Sequence, residues 1–400
     1  MSVLAVPLLM LFAALPVNNS DKVRIGLFTL FHPHAVQVRL ATGEKAVLDA
    51  ASFTSTRIDP SQLISISVAG NHLKIDIQGS HSIRQSEITD SARITPYDSG
   101  ALELILPGKL KRAVRGTVSI DNGISGRGTL SIVLTTPRES AVASVLAAET
   151  SEREPQALMA LAVVVRTFMS SHSGRHSAEG FDFCDTTHCQ LYRGEQDLSD
   201  QVSASPLVAS VARTSGKILR FRGIPLDGYY TAACGGLAAT PEMVWGGSSR
   251  YPYTRISCEW CQNSRYRKWE RSADRDRILA ALSAFTGSKF SSATELIVDA
   301  EQTGGFVNTV TIRDGSTRVL LNSEAFRRAV GLQLGWSTVL SPSFTIARQG
   351  SRYVFRGRGF GSQVGLCVTG AMAQARAGRE YREILNFYYP AAEISEAAPQ

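Results

Sequence analysis

The chain has 400 residues, 44% of them hydrophobic and 19% charged, the balance of an ordinary globular protein with a real core. Its net charge of +7 is mild, and its basic residues are scattered apart from arginines around 250–277. No Lys/Arg stripe with interleaved aromatics runs along it, so it does not read as a nucleic-acid binder, while a mild positive excess suits anionic cell-wall polymers or membrane surfaces.

The first 20 residues carry no charge before Asp21. The apolar run from Val3 to Val17 is too short for a membrane span and fits the core of a secretory signal, although it lacks the usual preceding Lys or Arg. We therefore expect export, with membrane contact only through an uncleaved N-terminal segment. Residues 21–135 alternate apolar and polar positions in "RIGLFTL", "AVQVRLA", "HLKIDIQG" and "TLSIVLTT", which predicts a β-rich region. Asp121-Asn122-Gly123 marks a hairpin. His32, His34, His72 and His81 lie here without metal-like spacing.

The pattern changes at Pro137. Val142, Val145, Leu146 and Glu149 fall along one face of a predicted helix. After the turn "TSERE", Pro155 opens a second helix, "PQALMALAVVVRTFMSSH", apolar almost all round and therefore expected at the centre of the core. Further strands are expected at "GKILRFRG" and "PLDGYYTAA". A helix follows at 274–286, then the hairpin "FVNTVTIRD"/"TRVLLN", the capped helix "SEAFRRAVG", strands in "SFTIARQGSRYVFRGRGFG" and a last helical segment interrupted near Gly378. The predicted fold is α+β, with β-rich sheets flanking a small helical centre.

Glu149 ends one helix just before another. The negative end of the helix dipole and nearby apolar walls both disfavour its ionisation, which suits a general acid. A glycosidase normally needs a second carboxylate. Glu152, Glu154, Asp182 and Asp185 are near in sequence, but nothing pairs them with Glu149. A single acid suffices if the substrate's own hydroxyl attacks, with the same Glu acting first as acid and then as base.

Four of the six cysteines form two tight pairs, Cys184/Cys189 and Cys258/Cys261, a spacing closer to metal knuckles than to long-range staples. Disulfides within either pair remain an alternative for an exported chain. Cys184, His188 and Cys189 suit zinc, with His176 or a cysteine of "CEWC" as fourth ligand. A cysteine nucleophile is poorly served, because His188 and Cys189 are adjacent and point apart on extended chain. A serine triad lacks both a His after His188 and a G-x-S-x-G turn. "RGRGFGSQVGL" lacks the G-K-[ST] of a phosphate loop.

"SVLAAETSEREPQALMALAVVVRTFM", "CDTTHCQLYRG", "ARTSGKILRFRGIPLDGYYTAACGG" and "GRGFGSQVGL…GAMAQARAGREYREILNFYYP" stand in one order. Together, over about residues 110–392, they resemble the stage II sporulation protein D family, also called the amidase-enhancer or LytB-like family. The resemblance makes 136–392 the catalytic region. It implies an exported peptidoglycan lytic transglycosylase that cleaves between N-acetylmuramic acid and N-acetylglucosamine without water, leaving a 1,6-anhydro end. The family's catalytic glutamate falls on Glu149 and its following Arg on Arg166, a candidate for saccharide contact or a structural ion pair. Gln190, Tyr192, Tyr230, Cys234, Gly235 and Gly236 match blocks expected to line the substrate groove. His176, Cys184, His188 and Cys189 become the implied ligands of a structural zinc, with Cys258 and Cys261 either replacing a His or forming their own disulfide. One departure stands out. The family's Gly-His-Gly turn reads here with Ser362 at the His and Gln363 at the second Gly, and Val368 takes the place of a later Gln. The implied partner is the glycan strand of peptidoglycan. The competing readings are a non-catalytic wall-binding protein that enhances an amidase, and a metal-dependent hydrolase.

Overall fold

The computed structural model describes residues 21–397 apart from 42, 51–52, 80–82, 98–99, 124–127, 196–205 and 301–304. The signal-like segment and His81 lie outside the described residues. Among the described residues, no helix is long and apolar enough to cross a membrane.

The fold is α+β, as the alternation and helical periodicity predict. Residues 22–137 form most of two sheets, antiparallel but for one short parallel edge strand. One has six strands, in the order 110–115, 101–106, 35–40, 63–69, 72–78, 83–89. The other has seven, in the order 183–184, 22–26, 130–137, 117–122, 91–96, 46–50, 53–58. Val36, Val38, Leu40, Ile64 and Ile66 alternate inward at the two-residue period of a strand and are buried. The hairpin expected at Asp121-Asn122-Gly123 forms between Thr117–Asn122 and Leu130–Pro137, with Asp121 and Asn122 inside the strand. "RIGLFTL" ends as a strand at Gly26, because Phe28 turns to a left-handed φ of 59°.

Helix α1 (Arg138–Glu149) leaves the seven-stranded sheet directly after Pro137, and α2 (Pro155–Ser171) follows after the expected turn. In α2, every residue from Ala157 to Met169 is buried, so this helix is the hub its all-round apolarity demands. It packs on α1, on the helix Pro206–Arg213, on the strand Lys217–Phe221, and on the last two helices, Val368–Arg376 and Tyr381–Tyr388. Gly378, at φ 86°, separates those two, where the sequence predicted an interruption.

Residues 269–355 carry a second hydrophobic core, which the sequence reading ran together with the first. It is built on Ile278, Leu282, Val310, Phe326, Phe344 and Phe355. It joins the helices Arg275–Thr286 and Ser323–Leu334 to two small sheets. Asp274 caps the first helix through the Arg277 N–H, and Asn322 caps the second through the Ala325 N–H.

Candidate active site and metal centre

Glu149 is the last residue of α1. The Tyr230 hydroxyl donates to its Oε1 at 3.4 Å. Burial pushes its carboxyl up to about 7, against the opposing pull of the Tyr230 hydroxyl, the Arg193 charge and the Leu191 backbone. Tyr230 itself is pushed well above 10 by burial and by the Glu149 charge, so it stays a donor, and the Gln190 amide lies at its hydroxyl. Glu149 is therefore balanced between its protonated and ionised forms near neutral pH, the condition a general acid needs.

The four carboxylates near it in sequence are all engaged elsewhere. Glu152 and Glu154 both pair with Arg376. Asp182 pairs with Arg24. Asp185 is buried, and its two oxygens accept from the Phe28 and Thr29 N–H groups, the Thr29 hydroxyl and the Arg112 guanidinium at 2.6–3.2 Å. The acid inside "CDTTHC" is thus a bracket that clamps the cysteine segment to the first strand, and the left-handed Phe28 is what turns two successive N–H groups toward it.

His176, Cys184, His188 and Cys189 come together as the spacing and the resemblance implied, with all four ligand atoms within 4.8 Å of one another. Cys184 reaches its place by pairing in parallel beside Gly26, at the edge of the seven-stranded sheet. The His176 Nδ1 sits 2.7 Å from the Glu179 carboxylate, while its Nε2 is buried without a hydrogen-bond partner. That arrangement, a carboxylate orienting one ring nitrogen while the other is left for a ligand, is typical of a metal-binding imidazole. Hydrogen bonding with Cys189 first, and then with His188 and Thr186, holds the Cys184 thiol far below its usual range despite burial. Two thiolates and two imidazoles in this volume fit a tetrahedral zinc. No disulfide links any of the six cysteines, so the alternative bridges Cys184–Cys189 and Cys258–Cys261 are not formed.

The expected groove residues divide. Tyr230 reaches Glu149, and Gln190 stands at the Tyr230 hydroxyl. Arg166 is 0% exposed, and its guanidinium donates to both Glu139 oxygens, at 2.6 and 2.7 Å, and to the Lys217 carbonyl, so of its two roles the structure displays the ion pair. Tyr192 is enclosed against Ser144, Arg112 and Glu195, with no ring face open for a sugar. Cys234 is fully buried, and its sulfur lies among Cys258, Cys261 and Cys367 rather than in a groove. Gly235 and Gly236 have left-handed φ of 66° and 99°. A Cβ on Gly235 would sit 2.4 Å from the Gly359 nitrogen, so this glycine lets the C-terminal turn approach.

In that turn Gln363 keeps the glycine-like φ, at 63°. Its backbone N–H donates to the Thr231 hydroxyl, and its amide donates to the Cys234 carbonyl at 2.7 Å, which offsets the conformational cost. Ser362 accepts from the Val364 N–H. Sequence reasoning overlooked Cys367 as a partner of other cysteines. Its only signal was that it left an unpaired cysteine beside Cys234.

Residues 126–221, which span α1, α2 and the first cysteine cluster, match the family model described as Stage II sporulation protein. The chain is 27% identical over 273 residues to the stage II sporulation protein D of Bacillus subtilis, covering 65% of this chain and 75% of that protein. It is 25% identical over 273 residues to the stage II sporulation protein D of Bacillus amyloliquefaciens, with the same shares covered. It is 24% identical over 294 residues to an amidase enhancer of Bacillus subtilis, covering 60% of this chain and 38% of that longer protein. The domain match and these relatives together support the stage II sporulation protein D and amidase-enhancer (SpoIID/LytB) family for this chain.

Proposed function

We propose that this protein is an exported lytic transglycosylase of peptidoglycan, with Glu149 as its acid and base. The observation that carries the reading is a single carboxyl, raised to about 7 by burial, whose sequence neighbours are all paired elsewhere. Protonated Glu149 gives its proton to the glycosidic oxygen as the bond from C1 of N-acetylmuramic acid breaks. The Tyr230 hydroxyl donates to the carboxylate as charge appears on it. That carboxylate then takes the proton of the substrate's C6 hydroxyl as its oxygen bonds to C1. The proton account closes, and a 1,6-anhydro end results without water. His176, Cys184, His188 and Cys189 would hold a structural zinc, which when bound fixes the segment that carries Gln190. Gln190, Tyr230, Gly235 and Gly236 remain the groove residues of this reading.

A second reading, a wall-binding protein that enhances a partner N-acetylmuramoyl-L-alanine amidase, is favoured by Ser362 in place of the family's His and by similarity to a protein named amidase enhancer. The two separate in a digest of purified peptidoglycan, with and without stem peptides, followed by mass spectrometry. Anhydromuramic ends from the wild type and none from Glu149→Gln support the transglycosylase. No anhydro ends from either, together with faster cleavage by an added amidase, support the enhancer. A folded, metal-stripped protein that has lost activity would instead point to a metal-dependent hydrolase.

A further inference from the structure

The structure brings together four cysteines that the proposed chemistry does not use. Cys234, Cys258, Cys261 and Cys367 place their sulfurs within 4.8 Å of one another, and none is more than 1% exposed. They come from three separate segments. Cys234 follows the strand Tyr230–Thr231. Cys258 and Cys261 flank a short helical turn, a C-x2-C knuckle. Cys367 ends a strand that pairs in parallel with Tyr230–Thr231 and begins the helix Val368–Arg376.

We infer that these four cysteines form a second metal site, a tetrathiolate centre for one zinc ion, separate from the His176/Cys184/His188/Cys189 cluster. Three observations support this. First, the spacing suits a single ion. Zinc–sulfur bonds of about 2.3 Å in a tetrahedron put the sulfurs about 3.8 Å apart. Cys234 and Cys261 are 3.4 Å apart, and the whole set lies within 4.8 Å, too tight to enclose the several irons and sulfides of a cluster.

Second, hydrogen-bond donors are aimed at the sulfurs. The N–H groups of Cys234 and Gly370 both point at the Cys367 sulfur at 3.3 Å, the Tyr388 hydroxyl lies 3.4 Å from Cys258, and the Gly236 N–H bonds Cys261. Donors aimed at sulfur stabilise its charged form and tune a metal site. A Cβ on Gly370 would come within 2.9 Å of the Cys258 sulfur, so glycine is what lets the helix start close against the set.

Third, the charges match. Four thiolates and one zinc ion leave a net charge of −2. Arg267 donates to the carbonyl of Gly235, the residue after Cys234. That places one guanidinium beside the segment that supplies Cys234, where a dianionic centre needs positive charge.

Such a site would pin the Tyr230 strand, the "CEWC" turn and the start of the last helices to one point, four residues from the hydroxyl that meets Glu149. It does not depend on the transglycosylase reading.

The test is native mass spectrometry with elemental analysis on the full chain purified under reducing conditions with zinc present. The expected content is two zinc ions per chain, falling to one in Cys261→Ser and to one in His188→Ala. Because Cys261→Ser could fail to fold, the wild type carries a second measurement. Alkylation under denaturing, non-reducing conditions is expected to label all six cysteines of protein purified without added reductant. Cobalt substitution is expected to give thiolate charge-transfer absorption that drops by about two-thirds, from six thiolates to two, when the four-cysteine site is lost. A wild type with one zinc that His188→Ala removes completely would overturn the inference. So would fewer than six reactive thiols, or iron in place of the second zinc.

Discussion

Helix α1 carries a glutamate at each end, and the fold treats them in opposite ways. Glu139, in the first turn, sits where the helix dipole favours negative charge, and it takes a two-pronged bond from the buried Arg166. Glu149, on the last residue, sits where the dipole opposes charge, and it has a long hydroxyl contact from Tyr230, the Leu191 backbone and the more distant Arg193, but no paired cation. The same side chain is thus a fixed anion at one end and a group poised between two states at the other. Sequence position along a helix sets the bias, and the partners that tertiary structure supplies decide how far it goes.

Replacing the poised end should have the largest effect. Glu149→Gln should lower the formation of anhydro ends by about 10²–10⁴-fold, the usual contribution of a general acid. It should not lower stability. An ordinary Glu releases its proton near 4.5 in the unfolded chain but near 7 here, so between those values the folded state binds more protons and stability falls as pH rises. The variant escapes that loss. At pH 8 it should unfold at higher denaturant than the wild type, by about 1–3 kcal/mol, and below pH 4.5 the difference should vanish. A variant that is less stable at pH 8 would remove the basis for a raised carboxyl.

Breaking the fixed end should act on the fold instead. Glu139→Gln leaves the Arg166 guanidinium enclosed without its counter-charge, at a cost of about 3 kcal/mol in urea unfolding. Turnover per folded molecule, measured well below the melting temperature, should stay within about twofold if Arg166 is purely structural. A loss of kcat in protein that remains folded would return Arg166 to substrate contact.

Smaller changes sharpen the comparison. The Tyr230 hydroxyl favours the charged form of Glu149, so Tyr230→Phe should move the alkaline limb of the activity profile, expected near pH 7, upward by about half a unit. Arg193→Ala should shift it the same way by only a few tenths, and less at high salt, because Arg193 is exposed. A downward shift in either variant would contradict the assigned roles.

Much of the scaffold was legible in the chain. The alternation in "AVQVRLA" and "HLKIDIQG", the all-round apolarity of α2 and the Pro at its start are local patterns, and local sterics and burial are enough to read them. The cluster of His176, Cys184, His188 and Cys189 was also accessible, because three of its members fall within six positions and a tight turn brings them together. The second core at 269–355 was harder to see. Its helices and hairpin were each predicted, but separate cores are decided by which elements pack together.

The sequence by itself determined the β-rich first third, the two-helix frame, the chemical types at the His176/Cys184/His188/Cys189 cluster and a carboxyl at the C-terminal end of α1. Tertiary structure alone decided their environments. It bound Asp185 to Phe28, Thr29 and Arg112 rather than to a site beside Glu149. It enclosed Tyr192 and Arg166, which resemblance had given to a groove. It drew Cys234 and Cys367, 133 positions apart, to the "CEWC" turn. The physical reason is common to all three: burial, charge pairing and metal-like geometry depend on distances between segments far apart in the chain, and no local pattern encodes those distances.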